Sequence, residues 1–223
     1  MRRLFPHPAD DVALRDAYDV ERTAPPGRPW VSLCMVSSLD GSTVVDHTSR
    51  GLSNPTDQAL LLTLRSFADT ILVGAATVRH ERYGPPKLPG QRIAVVSRSA
   101  EFDFESPLFT SGQVVVLLPE QAPDVPVPSV RAGTHTLDLP AALGMLHSRF
   151  DARVVQAEGG ATLNGMLAAA DLIDELNLTI SPQVSGGDGP RLTVGSPGVA
   201  QRMHLAHVLE DDGFLFTRYV RPR

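Results

Sequence analysis

The sequence is poor in cysteine, and it contains no long apolar run. Its 223 residues include a single cysteine, Cys34, so no disulfide can form within the chain, which suits a reducing compartment. No apolar run approaches the roughly 20 residues that a membrane span requires. Residues 1–11 begin with basic side chains but lack the apolar stretch of a signal peptide. We therefore expect a cytoplasmic protein without membrane contact, in which Cys34 is a buried strand residue.

Lysine is almost absent, and the arginines are dispersed. Lys87 is the only lysine, the formal net charge is -5, and no run of basic residues occurs. This argues against nucleic acid as the main partner, because nucleic-acid-binding proteins cluster their positive charge. An anionic ligand would have to be held by individual arginines and by helix N-termini.

Several signatures of enzymes are also missing. The sequence has no zinc-ligand spacing, no zinc-deaminase signature, no Walker phosphate-binding loop and no GxSxG segment. The histidines are scattered along the chain. We therefore expect no metal site.

The composition that remains, 42% hydrophobic and 20% charged, is that of a globular protein. Residues 1–29 are predicted to be an N-terminal arm with one short helix over 11–18, and residues 30–223 a single domain. The apolar patterns of this domain predict strands at 30–36, 70–73, 93–97, 114–118, 153–157, 174–180, 203–209 and 214–220. Helices are predicted from Asn54 onward, at 76–82, at 141–149, and from 159–160 through 170.

This order of elements predicts an α/β fold. The central sheet should be mostly parallel, flanked by helices and extended by a C-terminal antiparallel hairpin. Ligands of such sheets bind beyond the carboxyl ends of the strands. Polar and glycine-rich segments do follow the predicted strands, so we expect the binding site at that edge.

Two strand ends carry the most informative segments. Residues 37–41, SSLDG, include Ser38 and Asp40, although serine, aspartate and glycine also favour a plain turn. Residues 159–165, GGATLNG, open a helix whose dipole and accessible N–H groups suit a phosphate, with tight strand–helix packing as the alternative. Glu158, just before them, could bind a ligand N–H or cap a neighbouring helix.

Three further residues are candidates by position. The Thr77 hydroxyl could bond a ribose or phosphate oxygen, or it could satisfy its own backbone. Arg98 follows a strand end of the kind that meets an adenosine ribose or its 2′-phosphate. Arg65, near the end of an apolar helix face, either completes the helix dipole or reaches a ligand anion.

Five segments, taken in order, resemble the bacterial pyrimidine reductases of riboflavin biosynthesis. They are SSLDG, SRGLSNPTDQ, LRSFADTILVGAATV, EGGATLNGML and DLIDELNLTISPQVSGG. The resemblance runs from about residue 30 to 220 and is to the stand-alone, actinobacterial-type branch that lacks a deaminase domain. It implies a dihydrofolate-reductase-like fold and a homodimer. It also implies NADPH-dependent reduction of the ribosyl group of 5-amino-6-(5-phosphoribosylamino)uracil to the ribityl form.

The resemblance further implies a set of site residues. Ser38, Asp40, Ser49 and Arg65 fall where the pyrimidine or its phosphate is held, and Glu158 matches a substrate contact. Asp40, Glu158 or water would supply the proton that the reaction needs. The implied cofactor contacts are Thr77, Glu81, Gly159, Gly160, Ala161, Thr162, Leu163 and Asn164, to which we add Ser97 and Arg98 for the 2′-phosphate. Gly51 replaces an often aromatic residue of the family and Glu81 its usual aspartate, so substrate placement is expected to differ in detail.

Two other functions fit the same residues. A pterin or dihydrofolate-type reductase would share the fold and the cofactor, because a fold does not determine its substrate. A non-catalytic nucleotide-binding paralogue belongs to another class, and the intact SLDG and EGG segments speak against it. Oxidation of NADPH in the presence of each candidate substrate would separate these functions.

Overall fold

A computed structural model describes residues 1–198 and 200–222. Its strands are β1 (Arg2–Phe5), β2 (Trp30–Ser37), β3 (Thr70–Gly74), β4 (Arg92–Val96), β5 (Val114–Leu118), β6 (Ser129–Arg131), β7 (Val154–Ala157), β8 (Glu175–Ile180), β9 (His204–Asp211) and β10 (Phe214–Val220). Its α-helices are α1 (Leu14–Tyr18), α2 (Pro55–Arg65), α3 (Ala75–Glu81), α4 (Pro107–Thr110), α5 (Leu139–Phe150) and α6 (Ala161–Ala169). A 3-10 turn covers Arg50–Leu52.

The strands form one mixed sheet in the order β1-β9-β10-β8-β2-β7-β3-β4-β5-β6. From β8 to β6 every neighbouring pair is parallel, whereas β8, β10, β9 and β1 pair antiparallel. The predicted α/β fold, with a mostly parallel sheet and a C-terminal antiparallel hairpin, is confirmed. No helix in the described part of the chain is long and apolar enough to cross a membrane.

Local signals explain why the helices begin where they do. The Asn54 side chain accepts a hydrogen bond from Asp57 N at 2.8 Å, and Pro55 opens α2. At α5, Asp138 accepts from Ala141 N at 3.0 Å. Side-chain caps of this kind satisfy N–H groups that the helix itself leaves unpaired.

The two faces of β2 pack into different cores. Val31 and Leu33 are fully buried in a cluster with residues of α5 and α6. Cys34 points to the other face, among Leu60 and Leu64 of α2. Because side chains alternate along a strand, one apolar strand can join both layers of helices to the sheet.

The structure contains short elements that the sequence patterns did not predict, namely β1, β6, α4 and the 3-10 turn. The helix predicted over 11–18 is confined to Leu14–Tyr18. β1 pairs antiparallel with β9, so part of the predicted arm belongs to the sheet. A buried ion pair of 2.9 Å between Arg22 and Glu175 also fixes the arm to β8. The division at residue 29 stays a prediction.

Candidate active site

A cleft of about 1250 Å³ lies at the carboxyl ends of β2, β3, β4 and β7. These strands are neighbours and run parallel, so the segments that follow them converge. The cleft is lined by these predicted site residues: Ser49, Thr77, Glu81, Ser97, Arg98, Glu158, Gly160, Ala161, Thr162 and Leu163. The other predicted residues, which are Ser38, Asp40, Arg65, Gly159 and Asn164, are not part of this lining.

Gly159 and Gly160 bring the end of β7 against the start of α3. Gly159 has φ +83°, a conformation that L side chains rarely adopt, and its carbonyl accepts from Gly74 N at 2.7 Å. A β-carbon at Gly160 would lie 2.9 Å from Thr77 Oγ1, closer than real β-carbons approach. A side chain at Gly160 would therefore crowd Thr77, and Gly159 is needed for its positive φ, so the pair lets β7 and α3 approach closely at the cleft.

The first turn of α6 faces the cleft. Gly160 is its N-cap residue, and Ala161, Thr162 and Leu163 line the cleft. The N–H groups of a first turn have no intrahelical acceptor, and the helix dipole gives this end a partial positive charge. Together with the space beside Gly160, this helix end fits the pyrophosphate of a dinucleotide.

Ser97 and Arg98 follow β4 and line the cleft. Ser97 is buried, and its Oγ accepts from Ala100 N at 3.1 Å, which caps the turn. Arg98 is exposed and forms no ion pair within residues 1–198 and 200–222. A guanidinium at a strand end can bind an anionic group of a ligand in the cleft.

Glu158, in the cleft wall, is held by two side chains. Arg65 Nε and Nη2 donate to its two carboxylate oxygens at 2.7 and 2.6 Å. The Tyr83 hydroxyl donates to Glu158 Oε2 at 2.7 Å. Burial and the neighbouring Glu158 raise the pKa of Tyr83 well above its usual value, so that this phenol stays protonated.

This arrangement changes the role expected of Arg65. Burial lowers the pKa of its guanidinium, but the hydrogen bonds and charge of Glu158 outweigh that effect, and the net shift is upward. A guanidinium that already makes a two-point contact with a buried carboxylate does not also offer that contact to a phosphate. The geometry therefore favours charge neutralisation of Glu158 over the phosphate contact predicted from the sequence.

A second polar cluster at the cleft connects the 3-10 turn to the end of α3. The backbone N and Oγ of Ser49 donate to Glu81 Oε1 at 3.4 and 3.3 Å. Arg50 Nε lies 3.7 Å from Glu81 Oε2. One carboxylate at the end of α3 thus holds the 3-10 turn, and the predicted substrate and cofactor residues Ser49 and Glu81 are in contact with each other.

Ser38 and Asp40 form a structured turn behind the cleft. The Asp40 carboxylate accepts from four donors, which are Ser38 Oγ, Ser185 N, Ser185 Oγ and Gly186 N. The Ser38 hydrogen bond and then those of the two backbone groups hold the pKa of Asp40 well below its usual value. Because this carboxylate stays ionised and lies outside the cleft lining, it does not suit the proton-donor role predicted from the sequence.

Asn164 is turned away from the cleft. It is fully buried, and its Nδ2 donates to Leu192 O at 2.9 Å. Its side chain therefore does not line the cleft, and the predicted cofactor contact of Asn164 stays a prediction. The segment GGATLNG identified the helix end correctly but carried no information about which side its asparagine faces.

Tyr83 and Asp57 are among the cleft residues that sequence reasoning missed. Tyr83 belongs to no motif, and only the folded chain brings it to Glu158. Asp57 lies in the first turn of α2, where an acidic side chain suits the helix dipole, yet it also lines the cleft. Ser53 Oγ donates to Asp57 Oδ2 at 2.7 Å, whereas Asp57 Oδ1 has no hydrogen-bond partner in the described part of the chain.

Cys34 is buried as predicted. Burial, and to a lesser extent the charge of Asp57, raises the pKa of the Cys34 thiol well above its usual value. A thiol that stays protonated is a poor nucleophile. Within the described residues, no group of three or more histidine, cysteine, aspartate or glutamate side chains could hold a metal ion.

Comparisons of the sequence with known proteins point to one family. A family model for the RibD C-terminal domain matches residues 29–214. A protein of Methanothermobacter thermautotrophicus, named 2,5-diamino-6-ribosylamino-4(3H)-pyrimidinone 5′-phosphate reductase, is 30% identical over 190 residues. That match covers 77% of this chain and 86% of the relative.

Solved structures give the same picture. A pyrimidine reductase-like protein from Corynebacterium diphtheriae superposes with a TM-score of 0.81 at 25% identity, covering 95% of this chain and 100% of that one. The riboflavin biosynthesis reductase of Saccharomyces cerevisiae superposes with a TM-score of 0.67 at 21% identity, covering 92% of this chain and 94% of that one. The second likeness is one of fold alone.

Proposed function

The chain belongs to the RibD C-terminal domain family, which confirms the resemblance of its sequence motifs, and on that premise we propose its reaction. It is an oxidoreductase that reduces the ribosyl group of a pyrimidine ribosylamine phosphate to the ribityl form, with 5-amino-6-(5-phosphoribosylamino)uracil as the first candidate substrate. NADPH is the proposed cofactor. The observation that carries the proposal is one cleft that joins the α6 N-terminus to the buried pair of Glu158 and Arg65.

The reaction asks for little covalent chemistry from the protein. When bound, NADPH supplies a hydride for C1′ of the ring-opened, imine-like ribose. The first turn of α6 and the space beside Gly160 would hold the pyrophosphate, and Arg98 the 2′-phosphate. Holding the reacting groups in position accounts for most of the catalysis in such a site.

Proton supply is assigned by the surroundings of the candidate acids. Asp40 is held ionised outside the cleft lining. Both oxygens of Glu158 already accept hydrogen bonds, and its partner Arg65 is a cation. We therefore assign Glu158 an orienting role toward the substrate and assign the proton to water within the cleft.

A second candidate substrate is 2,5-diamino-6-ribosylamino-4(3H)-pyrimidinone 5′-phosphate, the diaminopyrimidinone after which four relatives are named. This ring presents an amino group and a ring N–H side by side, whereas uracil presents N–H between two carbonyls. Asp57 has one carboxylate oxygen without a donor and no cationic partner among the described residues. Two parallel donors match a carboxylate in the way that a guanidinium does.

Turnover with each pyrimidine tests both candidates. Oxidation of NADPH is followed by absorbance with the uracil, the diaminopyrimidinone and dihydrofolate as substrates. If the first proposal holds, the uracil gives the highest kcat/KM, and if the second holds, the diaminopyrimidinone does. Turnover of dihydrofolate alone would contradict both and favour the pterin-reductase alternative.

The Asp57→Asn variant sharpens this test. Loss of a charge-assisted contact costs about 1.5–3 kcal/mol, or roughly ten- to a hundredfold in affinity. The variant should lose that factor in KM for the diaminopyrimidinone and much less for the uracil. Asp16→Asn is the matched control, because Asp16 is also acidic in a first helical turn but is exposed on α1.

We also propose that the protein is a cytoplasmic homodimer. We place the interface on the C-terminal hairpin of β9 and β10. Because this hairpin lies between β1 and β8 in the sheet, both of its edges are paired, and the partner would contact one of its faces. Sedimentation analysis of the purified protein tests this, and a monomer at micromolar concentration would count against it.

A further inference from the structure

The segment of residues 185–194 is fixed at its start by the SSLDG turn. The backbone N–H groups of Ser185 and Gly186 donate to Asp40 at 3.1 and 2.7 Å. Farther along, the N and Oγ1 of Thr43 both donate to Pro190 O at 2.9 Å. We call residues 185–194 the strap.

The other end of the strap is fixed to α6. Asn164 Nδ2 donates to Leu192 O at 2.9 Å, and Val194 N donates to Ala161 O at 3.1 Å. A β-carbon at Gly165 would collide with Val194 O, so the strap packs directly on the helix backbone. This end of the strap therefore touches the helix whose first turn faces the cleft.

The strap also borders the cleft. Pro190 and Val194 line it, with Thr43 on one side and Ala161 on the other. Asp40 and Asn164 are not part of the lining, although sequence motifs single them out. The Asp40 carboxylate instead accepts hydrogen bonds from the start of the strap, and the Asn164 amide donates one to its other end.

We propose that the strap couples the pyrimidine half of the cleft to the cofactor half, with Asp40 and Asn164 as positioning residues at its ends. The assignment of the two halves rests on the proposed function. A ligand that contacts Thr43, which lines the cleft just after the SSLDG turn, also fixes the strap through Pro190, and the strap fixes the first turn of α6 through Ala161. By linkage, each ligand then strengthens the binding of the other by the same factor.

The first test needs no ligand. Amide exchange by NMR is compared in the wild type, Asp40→Asn and the control Asp212→Asn, whose side chain is exposed in the β9–β10 turn. Weakening the charge-assisted acceptor should speed exchange at Ser185 and Gly186 by about tenfold. If the strap acts as one unit, exchange at Val194 also rises severalfold. Exchange that rises only at residues 185–186 overturns the proposal.

The second test measures coupling between ligands. Affinity for the pyrimidine phosphate is titrated with and without saturating NADP⁺, and the wild type should show at least about a fivefold difference. Asp40→Asn and Asn164→Leu should each reduce this ratio to within about twofold of one. The double variant should match the single variants, because releasing either end frees the same segment.

The outcomes separate this inference from the proposed function. A wild type that binds both ligands without coupling, or variants that lose affinity while keeping the wild-type ratio, overturns the role of the strap and leaves the reductase intact. A wild type that fails to turn over any of the pyrimidines overturns the proposed function, while the exchange result at Val194 still decides whether the strap is one unit.

Discussion

Replacing Arg65 by alanine should lower the free energy of unfolding by more than it lowers the free energy of binding the substrate phosphate. Arg65 spans the space between α2 and the end of β7, and its side chain is 24% exposed. The carboxylate that it neutralises, Glu158, is only 3% exposed. The substitution would leave this buried charge with the Tyr83 hydroxyl as its remaining donor.

The size of the effect follows from that burial. Removing one partner of a buried ion pair costs about 3–5 kcal/mol. Because water reaches part of Arg65, we expect a loss of about 2–4 kcal/mol in the free energy of unfolding. For a chain of this length that corresponds to a fall in Tm of about 5–15 °C.

Thermal and urea unfolding measure the loss, and two variants control it. In Arg65→Ala combined with Glu158→Gln no buried charge is left unpaired, so part of the stability should return. Arg79→Ala, an exposed arginine of α3, should change stability by no more than about 0.5 kcal/mol. An unchanged Tm for Arg65→Ala, with a KM raised only for the phosphorylated substrate, would refute this reasoning and restore the phosphate role.

Three further predictions concern the cofactor and acid stability. Gly160→Val should abolish NADP(H) binding, measured by calorimetry, because the valine side chain would fill the space beside Thr77. The circular dichroism spectrum should stay native. If the variant binds NADP(H) normally, the glycine serves only strand–helix packing. Arg98→Ala should weaken NADPH binding by about tenfold or more and leave NADH unchanged, which competitive titration checks; equal affinity of the wild type for both cofactors contradicts it. Burial, and then the charge of Arg218, lowers the pKa of His207 from 6.5 to about 4. The unfolded chain therefore binds the proton first, and stability falls as the pH drops from about 6.5 to 4, by up to about 3 kcal/mol; His207→Gln should flatten this dependence in urea unfolding.

Local signals made much of the fold predictable. The start of α2 follows from Asn54, Pro55 and Asp57, three neighbouring residues whose preferences agree. β5 is a short apolar run that is buried along its whole length. By contrast, β1 has four mostly exposed residues and a partner near the other end of the chain, so no local pattern marks it.

The location of the site could be predicted from the sequence, whereas the contacts and directions of its individual side chains were less predictable. The rule that ligands bind at the carboxyl ends of parallel strands led to the cleft, and most of the motif residues line it. The pairing of Arg65 with Glu158 joins residues 93 positions apart, and neither motif contains information about the other. Asp40 and Asn164 were placed in the right segments, but the direction of a side chain is set by tertiary packing.

The position of β7 in the sheet affects how the protein folds during its synthesis. β7 lies between β2 and β3, both of which leave the ribosome long before it does. Until residues 154–157 are made, the facing edges of β2 and β3 have no partner, and the non-local pairing that completes them forms slowly. Unpaired apolar strands of this kind favour aggregation. Both neighbours of β2 in the sheet, β7 and β8, follow it late in the chain, so β2 has no strand partner on either edge until β7 has left the ribosome.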